Sequence, residues 1–375
     1  MVSLQNQTDY YWMAKAVQLA RKGRYTTSPN PRVGCVIVDN NNQCIGEGFH
    51  IQAGTPHAEI HALNQAGAKA EGATAYVTLE PCSHFGRTPP CALALIEAKV
   101  ARVVIGMTDP NPQVSGKGIR ILQEAGIEVT TDVMADEAKS LNPGFIKRMM
   151  TGKPFVRVKL GISLDGKIAL ENGVSQWITG PEARRDVQKY RAQSCVVLTG
   201  SGTVQADNPS LLVRASEFDD SDYLLDALRQ PVRVVVNGTN NLPDDFTLFN
   251  DGYPTFVAMV KSAINTTARE NTIRVSSESS HVDLNELIKA LGDMQYNEVL
   301  VEAGPALVGA LLSAGEVDEL VCYQAPVILG DKGMSMVNLP NFTSLSQAIH
   351  LSLDAYSKIG SDLKLTYSVK TGTTQ

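Results

Sequence analysis

Two stretches constrain the fold of this chain more than any others, because their chemistry requires them to meet. The first is "HAEIHAL" (57–63), with His57 and Glu59 two residues apart. The second is "TLEPCSHFGRTPPCA" (78–92), in which Cys82 and Cys91 each follow a proline. A zinc ion takes three or four nitrogen or sulfur ligands in tetrahedral array, and a catalytic one keeps a position for water. His57, Cys82 and Cys91 supply three. His57 opens a helix-like segment, and the cysteines lie just past the strand-like "ATAYVTL" (73–79). In a parallel α/β unit, strand C-termini and the following helix N-termini converge on one sheet edge. A helix N-terminus also favours thiolate over thiol.

Glu59 turns a metal site into an active site. A carboxylate beside a zinc-activated water can take its proton and return it to a leaving amine. H-x-E followed by P-C-x-x-C is the signature of zinc-dependent base deaminases. "HAE" matches the first part and "EPC" the start of the second, but eight residues separate Cys82 from Cys91 where the signature has two. On the residues alone two other readings stay open. The cysteines are ordinary buried thiols, or His84 closes a structural zinc site that leaves Glu59 without a role. His61 reads as packed or exposed rather than as a ligand, and His84 as a loop residue facing the pocket.

At 375 residues the chain calls for two or three domains, and 43% hydrophobic with 19% charged residues is a globular composition. With 33 basic against 39 acidic residues the net charge is −6, which offers no broad basic surface to nucleic acid. No apolar run reaches the ~20 residues needed to span a bilayer. The N-terminus "MVSLQNQTDYYWMAKAVQLARKG" reads as an amphipathic helix rather than a signal peptide. Six cysteines without an export signal imply reduced thiols and a cytoplasmic setting.

Along the first 150 residues, "RVGCVIV" and "CIGEGFH" around the polar turn "DNNNQ" suggest a hairpin. A helix from His57 to about Ala68, the strand 73–79, a helix near 90–98, the strand "RVVIGM", the helix "GIRILQEAG" and the strand "IEVTTDV" follow. A mixed or mostly parallel sheet covered by helices is expected. "NPGFIKRMMTGKPFVRVKL" (142–160) reads as a junction, giving domains 1–150 and 151–375. The second half repeats buried-strand runs, "FVRVKLGIS", "SCVVLTGSGTV", "VRVVVNG", "TFVAMV", "EVLVEAG" and "ELVCYQAPVILG", again in α/β alternation. "VEAGPALVGALL" (301–312) is a strand, a small-residue turn and an apolar helix, and "LTGSGTV" (198–204) a strand with a glycine-rich turn. Each could bring backbone N–H groups to a phosphate or simply pack a helix on a sheet. No G-x-G-x-x-G indicates a Rossmann site.

The long cysteine spacing is where a family becomes recognisable. "PNPRVGCVIV", "HAEIHAL", "YVTLEPCSHFGRTPPC" and "GMTDPNPQVSGKG", in this order, resemble the bifunctional deaminase–reductases of riboflavin biosynthesis. "SLDGKIA", "SQWITG", "RRDVQKYRAQSCVVLTGSGTVQADNP" and "VEAGPALVGALL" continue the resemblance over nearly the whole chain. It implies a cytidine-deaminase-like αβα domain followed by a dihydrofolate-reductase-like α/β domain. It also implies two reactions. The first is deamination of a 2,5-diamino-6-ribosylamino-4(3H)-pyrimidinone 5′-phosphate with one zinc per chain; the second is reduction of the ribosyl group to ribityl with NADPH.

By the same resemblance His57, Cys82 and Cys91 bind zinc and Glu59 shuttles protons, while Asn30, His50, Arg87 and Asn111 address the pyrimidine substrate. Gly161, Trp177, Thr203, Asp207 and the run Gly304, Pro305, Ala306, Leu307, Val308, Gly309 and Ala310 match cofactor positions. Lys159, Ser175, Arg191, Leu211, Arg214 and Glu302 match positions for the reductase substrate. Lys159, Arg191 and Arg214 suit a phosphate on chemical grounds, whereas Trp177 taken alone reads as a core aromatic. The proton donor of the reduction has no obvious candidate, Asp207 or a bound water being the only suggestions. The expected partners are small molecules, with no nucleic acid and no membrane, and assembly into a homo-oligomer is compatible with the sequence. The competing reading is a zinc deaminase acting on tRNA or free nucleosides, which would share "HAE" and the first "PC".

Overall fold

The computed structural model describes residues 4–83, 90–112, 114–218, 220, 228–239, 241–263, 271–277 and 280–370. Two compact units meet along the chain between Gly152 and Lys153. The first unit runs α1 (Leu4–Arg21), β1 (Gly34–Val38), β2 (Cys44–Phe49), α2 (Ala58–Ala66), β3 (Thr74–Val77), α3 (Cys91–Glu97), β4 (Arg102–Ile105), α4 (Lys117–Glu124), β5 (Glu128–Thr130), α5 (Ala135–Ser140) and α6 (Pro143–Thr151). Its five-stranded sheet has the order β2-β1-β3-β4-β5. The hairpin β1–β2 and the pair β1–β3 are antiparallel, and β3, β4 and β5 are parallel. At the hairpin turn the Asp39 carboxylate accepts from the backbone N–H of Asn41 and Gln43, at 2.9 and 2.8 Å.

All five β1 residues are buried, because helices cover both faces of the sheet. The period-2 alternation of strand side chains divides them. Val36, Val38, Tyr76 and Val104 face Trp12, Met13 and Ala16 of α1. Cys35, Ile37, Ala75, Val77 and Ile105 face alanines of α2 together with Leu95 and Leu122. Two glycines allow the close approach. A Cβ at Gly34 would lie 2.0 Å from the Ala16 carbonyl oxygen, and one at Gly48 2.5 Å from that of Ala58. The second contact seats the first turn of α2, which carries Glu59, directly on the sheet.

The second unit runs β6 (Phe155–Ile162), β7 (Lys167–Ala169), α7 (Pro181–Gln193), β8 (Val196–Gly200), α8 (Ser201–Asp207), β9 (Val232–Val236), α9 (Thr247–Asn250), β10 (Thr255–Val260), β11 (Thr272–Val275), α10 (Leu284–Asp293), β12 (Glu298–Val301), α11 (Pro305–Ser313), β13 (Glu319–Gln324), β14 (Met334–Ser335), β15 (Leu351–Ile359) and β16 (Asp362–Val369). Its nine-stranded sheet has the order β11-β10-β9-β8-β12-β6-β13-β16-β15. From β11 to β13 every neighbour is parallel, and the last two strands join antiparallel. Valines of β6, β8 and β12 pack with Leu287, Ile288 and Leu291 of α10 and with Val308 and Leu311 of α11 in one core.

The buried runs read from the sequence fall on β6, β8, β9, β10, β12 and β13. Two features differ from expectation. The glycine-rich stretch after β8 is already helical from Ser201, and an antiparallel hairpin, β15–β16, extends the sheet. Nearly every residue of β15 is exposed, so it carries no buried apolar face for a pattern to report.

Candidate functional site

In the first unit the sheet edge predicted to gather His57, Cys82 and Cys91 does so. His57 is the N-cap of α2 in extended conformation, and its side chain makes no capping bond. Cys91 opens α3, and Cys82 lies in the segment that follows β3. The three ligand atoms all lie within 4.8 Å of one another. His57 Nδ1 is 3.3 Å from Cys91 Sγ and 3.6 Å from Cys82 Sγ. Zn–N and Zn–S bonds of ordinary length in a tetrahedral array hold such atoms about 3.6 Å apart, so the residues fit a zinc ion. The Cys91 N–H donates to Cys82 Sγ at 3.2 Å, which places this sulfur at the start of α3, where a thiolate is favoured. The Cys91 thiol hydrogen bond and neighbouring His57 bring Cys82 down to about 4 against the effect of burial. Cys91 is pushed up, first by that same bond and then by burial.

Glu59 is buried in the first turn of α2, beside these groups. Burial and the charge of Cys82 push its carboxyl up to about 7, against the lowering influence of His57 and of a hydrogen bond with Cys91. An acid–base group poised near neutrality suits proton transfer in both directions. His50 is buried and its ring lies edge-on to that of His57, with centroids 5.2 Å apart. His50 Nδ1 is 3.2 Å from the Pro56 carbonyl oxygen, and Nε2 is 3.2 Å from Asn30 Nδ2. With Nδ1–H donating to Pro56, Nε2 accepts from the Asn30 amide. Burial lowers His50 to about 4, so the ring is neutral at pH 7. Asn30 and His50 therefore stand together beside His57. Asn111 lies in the loop after β4, its N–H donating to Asp109 Oδ1 at 2.8 Å. Arg87 and His84 lie outside the described residues. His61 is not in the ligand cluster. Sequence reasoning missed Glu80, the residue two before Cys82, whose buried carboxylate accepts four backbone N–H groups. An acidic residue at the very end of a buried strand run was the available signal.

In the second unit the residues of interest gather at the carboxyl ends of β6, β8 and β12, three adjacent parallel strands, where open α/β sheets place their ligands. Arg191 of α7 grips Glu302 with two bonds, Nε to Oε1 at 2.6 Å and Nη2 to Oε2 at 3.0 Å. Its Nη1 donates to the Leu212 carbonyl at 2.9 Å. Lys159 Nζ is 3.9 Å from Glu302 Oε2. Burial opposes ionisation of Glu302, yet Arg191 and Lys159 hold its carboxyl below the ordinary value, with Arg214 contributing. Two partly or wholly buried cations thus share one carboxylate, which leaves a positive charge for an anion. Leu211 packs its side chain on Val197 and Leu300, with backbone in the left-handed region. Arg214 pairs with Glu217 at 2.6 Å, and its N–H donates to Gln188.

Thr203 Oγ1 accepts from the Gly304 N–H at 3.1 Å, tying the start of α8 to the turn after β12. Gly304 caps α11 and Pro305 is its first residue, so the N–H groups of Ala306 and Leu307 lack intrahelical partners by helix geometry. Leu307 faces Gly200. Val308 is enclosed by the core, and a Cβ at Gly309 would lie 1.7 Å from the Asn338 carbonyl oxygen, so these two side-chain positions serve packing. Ala310 is the next residue, one turn beyond Ala306, and is exposed. Asp207 ends α8 and is exposed. Trp177 is not a core aromatic: it is 66% exposed, with the Arg184 guanidinium 4.3 Å from its ring centroid. It borders a cavity of about 460 Å³ together with Thr179, Arg184, Pro326 and Asp362. Gly161 faces Thr179, and the Ser175 carbonyl accepts from Ile178.

Comparison with known proteins agrees with this division. Residues 6–107 match the family model "Cytidine and deoxycytidylate deaminase zinc-binding region", and residues 154–365 match "RibD C-terminal domain". The chain is 50% identical to riboflavin biosynthesis protein RibD of Escherichia coli K12, over 95% of this chain and 98% of that protein. It is 49% identical to RibD of Haemophilus influenzae, over 96% and 98%. Among solved structures, Acinetobacter baumannii RibD superposes with a TM-score of 0.89 at 42% identity, covering 98% of this chain and 100% of that one. The Thermotoga maritima diaminohydroxyphosphoribosylaminopyrimidine deaminase/5-amino-6-(5-phosphoribosylamino)uracil reductase gives 0.85 at 32% identity, over 98% and 100%.

Proposed function

The chain belongs to the RibD family of riboflavin biosynthesis proteins, and from that membership we propose which residues carry each of its two reactions. It is a deaminase and a reductase. The first reaction removes the 2-amino group of the diaminopyrimidinone ribosylamine 5′-phosphate, and the second reduces the ribosyl group of the product to ribityl. A tRNA or nucleoside deaminase is set aside, because the relatives match through both units.

Residues 1–150 carry the deamination in this reading. His57, Cys82 and Cys91 hold one zinc ion, which when bound makes water acidic enough to attack at neutral pH. Glu59 takes the proton of the attacking water and hands it to the departing amino group, so that ammonia leaves and a carbonyl replaces the amine. Asn30 and neutral His50 present an amide and an imidazole to the pyrimidine edge, with Asn111 and Arg87 as further contacts. The observation that carries the assignment is the His57–Cys82–Cys91 triangle with a buried carboxylate beside it. The two cysteines serve only as reduced thiols, which a cytoplasmic setting maintains.

Residues 151–375 carry the reduction. Lys159, Arg191 and Arg214, arranged around Glu302, receive the substrate phosphate, with Ser175 and Leu211 bordering it. NADPH, when bound, would supply the hydride that reduces the ribosyl group. The start of α8 at Thr203 tied to Gly304, the α11 N-terminus through Ala306 and Leu307, and Trp177 and Thr179, with Gly161 against Thr179, suit a cofactor bearing phosphates. Small molecules are the partners; the acidic balance argues against nucleic acid, and self-association through the second unit is compatible with its exposed hairpin.

The two activities should separate. A chelator is expected to stop ammonia release while leaving reduction of added deaminated intermediate within about two-fold. Arg191→Ala is expected to cost reduction about 10²-fold, since it strips a bidentate partner from buried Glu302, with deamination preserved. Loss of both steps on zinc removal, in protein that remains folded, would refute this division of labour.

A further inference from the structure

Glu80 carries an arrangement that neither reaction step has used. Its backbone N–H donates to the Met107 carbonyl at 2.9 Å, joining the ends of two adjacent parallel strands. Its buried carboxylate reaches the loop beyond. Oε2 accepts from the N–H groups of Asp109 and Gly116, both at 3.0 Å, and Oε1 from those of Gly118 at 2.8 Å and Ile119 at 3.3 Å. A carboxylate offers about four acceptor positions, so its capacity is filled by backbone alone. These donors bracket Asn111. Between them the loop closes on itself: the Asn111 carbonyl accepts from the N–H groups of Val114 and Ser115, at 3.0 and 2.9 Å. A Cβ at Gly118 would lie 2.1 Å from the Pro81 carbonyl oxygen, so the chain leading to Cys82 rests on the first turn of α4. One charged side chain thus ties the loop holding Asn111 to the segment holding a metal ligand.

We propose that Glu80 is a positioning residue of the deaminase: it fixes the loop residues 109–112 and 114–116 so that Asn111 meets the pyrimidine, and it acts on substrate binding rather than on metal retention. The proposal rests on Asn111 being a substrate contact. Glu80→Gln keeps the shape but replaces one acceptor oxygen with a donor, which sets an N–H against two of the four backbone N–H groups.

The test uses the full-length enzyme, with zinc content, deamination kinetics and reduction of added intermediate measured on each preparation. E80Q should retain one zinc per chain and wild-type reduction while KM for deamination rises about ten- to a hundred-fold, as expected for lost charge-assisted hydrogen bonds, and kcat changes much less. In an N111A background, E80Q should raise KM no more than about two-fold further, because the two act through one contact. Loss of zinc in E80Q, an unchanged KM, or a full additive effect in the double variant would each overturn the proposal and leave the zinc assignment standing. If E80Q does not accumulate as folded protein, E80D decides: it keeps the charge but withdraws it by one methylene, and a wild-type KM for that variant overturns the proposal equally.

Discussion

Replacing Cys91 by serine is expected to lower zinc from about one ion per chain to a small fraction and to abolish ammonia release. Cys91 Sγ stands 3.3 Å from His57 Nδ1, and its residue is 1% exposed, so the ligand atom is held inside the packed start of α3. A serine hydroxyl is a harder and far less acidic donor than a thiol, and its shorter C–O bond withdraws the ligand atom from the position the sulfur occupied. Two donors remain, fewer than the three a catalytic zinc needs. Metal analysis of purified protein reads the first half of the prediction and an ammonia assay the second. Reduction of the deaminated intermediate by the same preparation serves as the control. Wild-type zinc in C91S, or a Cys82–Cys91 disulfide in the native enzyme, would remove Cys91 from the metal site.

How much of this was legible beforehand depended on how local each signal was. His57 and Glu59 lie two residues apart at a helix start, and each cysteine follows a proline beside a strand or helix end, so ordinary α/β topology was enough to bring them together. The β1–β2 hairpin showed in an apolar run returning through a polar turn, and β6, β8 and β12 in short runs rich in valine and leucine. β15 did not, because its side chains face solvent and its place in the sheet is decided by pairing with β16. Glu80 was harder to read for a different reason, its one mark being an acidic residue at the end of a buried strand run. Its partners are backbone amides 29 to 39 residues away, and a main-chain donor leaves no mark in the sequence. In the run from Gly304 to Ala310 successive side chains turn by about 100°, so Val308 and Gly309 are buried while Ala306 and Ala310 are exposed.

Glu59→Gln should leave zinc in place and lower deaminase turnover by about 10²–10⁴, the range of a positioned acid–base group. Glutamine fills the same volume in the first turn of α2 but cannot accept a proton from water and pass it to the leaving amine. C91S and E59Q therefore separate two causes of one phenotype: the first loses activity with its metal, the second with its metal retained. A second readout follows from the environment of Glu59. Burial and the Cys82 charge raise its carboxyl from the ordinary 4.5 to about 7. A carboxyl raised on folding contributes its full share of stability only below its unfolded value, and that share is lost as pH climbs to the folded value. Chelator-treated E59Q should accordingly melt above chelator-treated wild type at pH 8, and the gap should close towards pH 4. Near-normal turnover in zinc-loaded E59Q would take Glu59 out of the mechanism whatever the melting curves show, whereas lost turnover with equal melting at both pH values would keep its catalytic role and correct only its electrostatics.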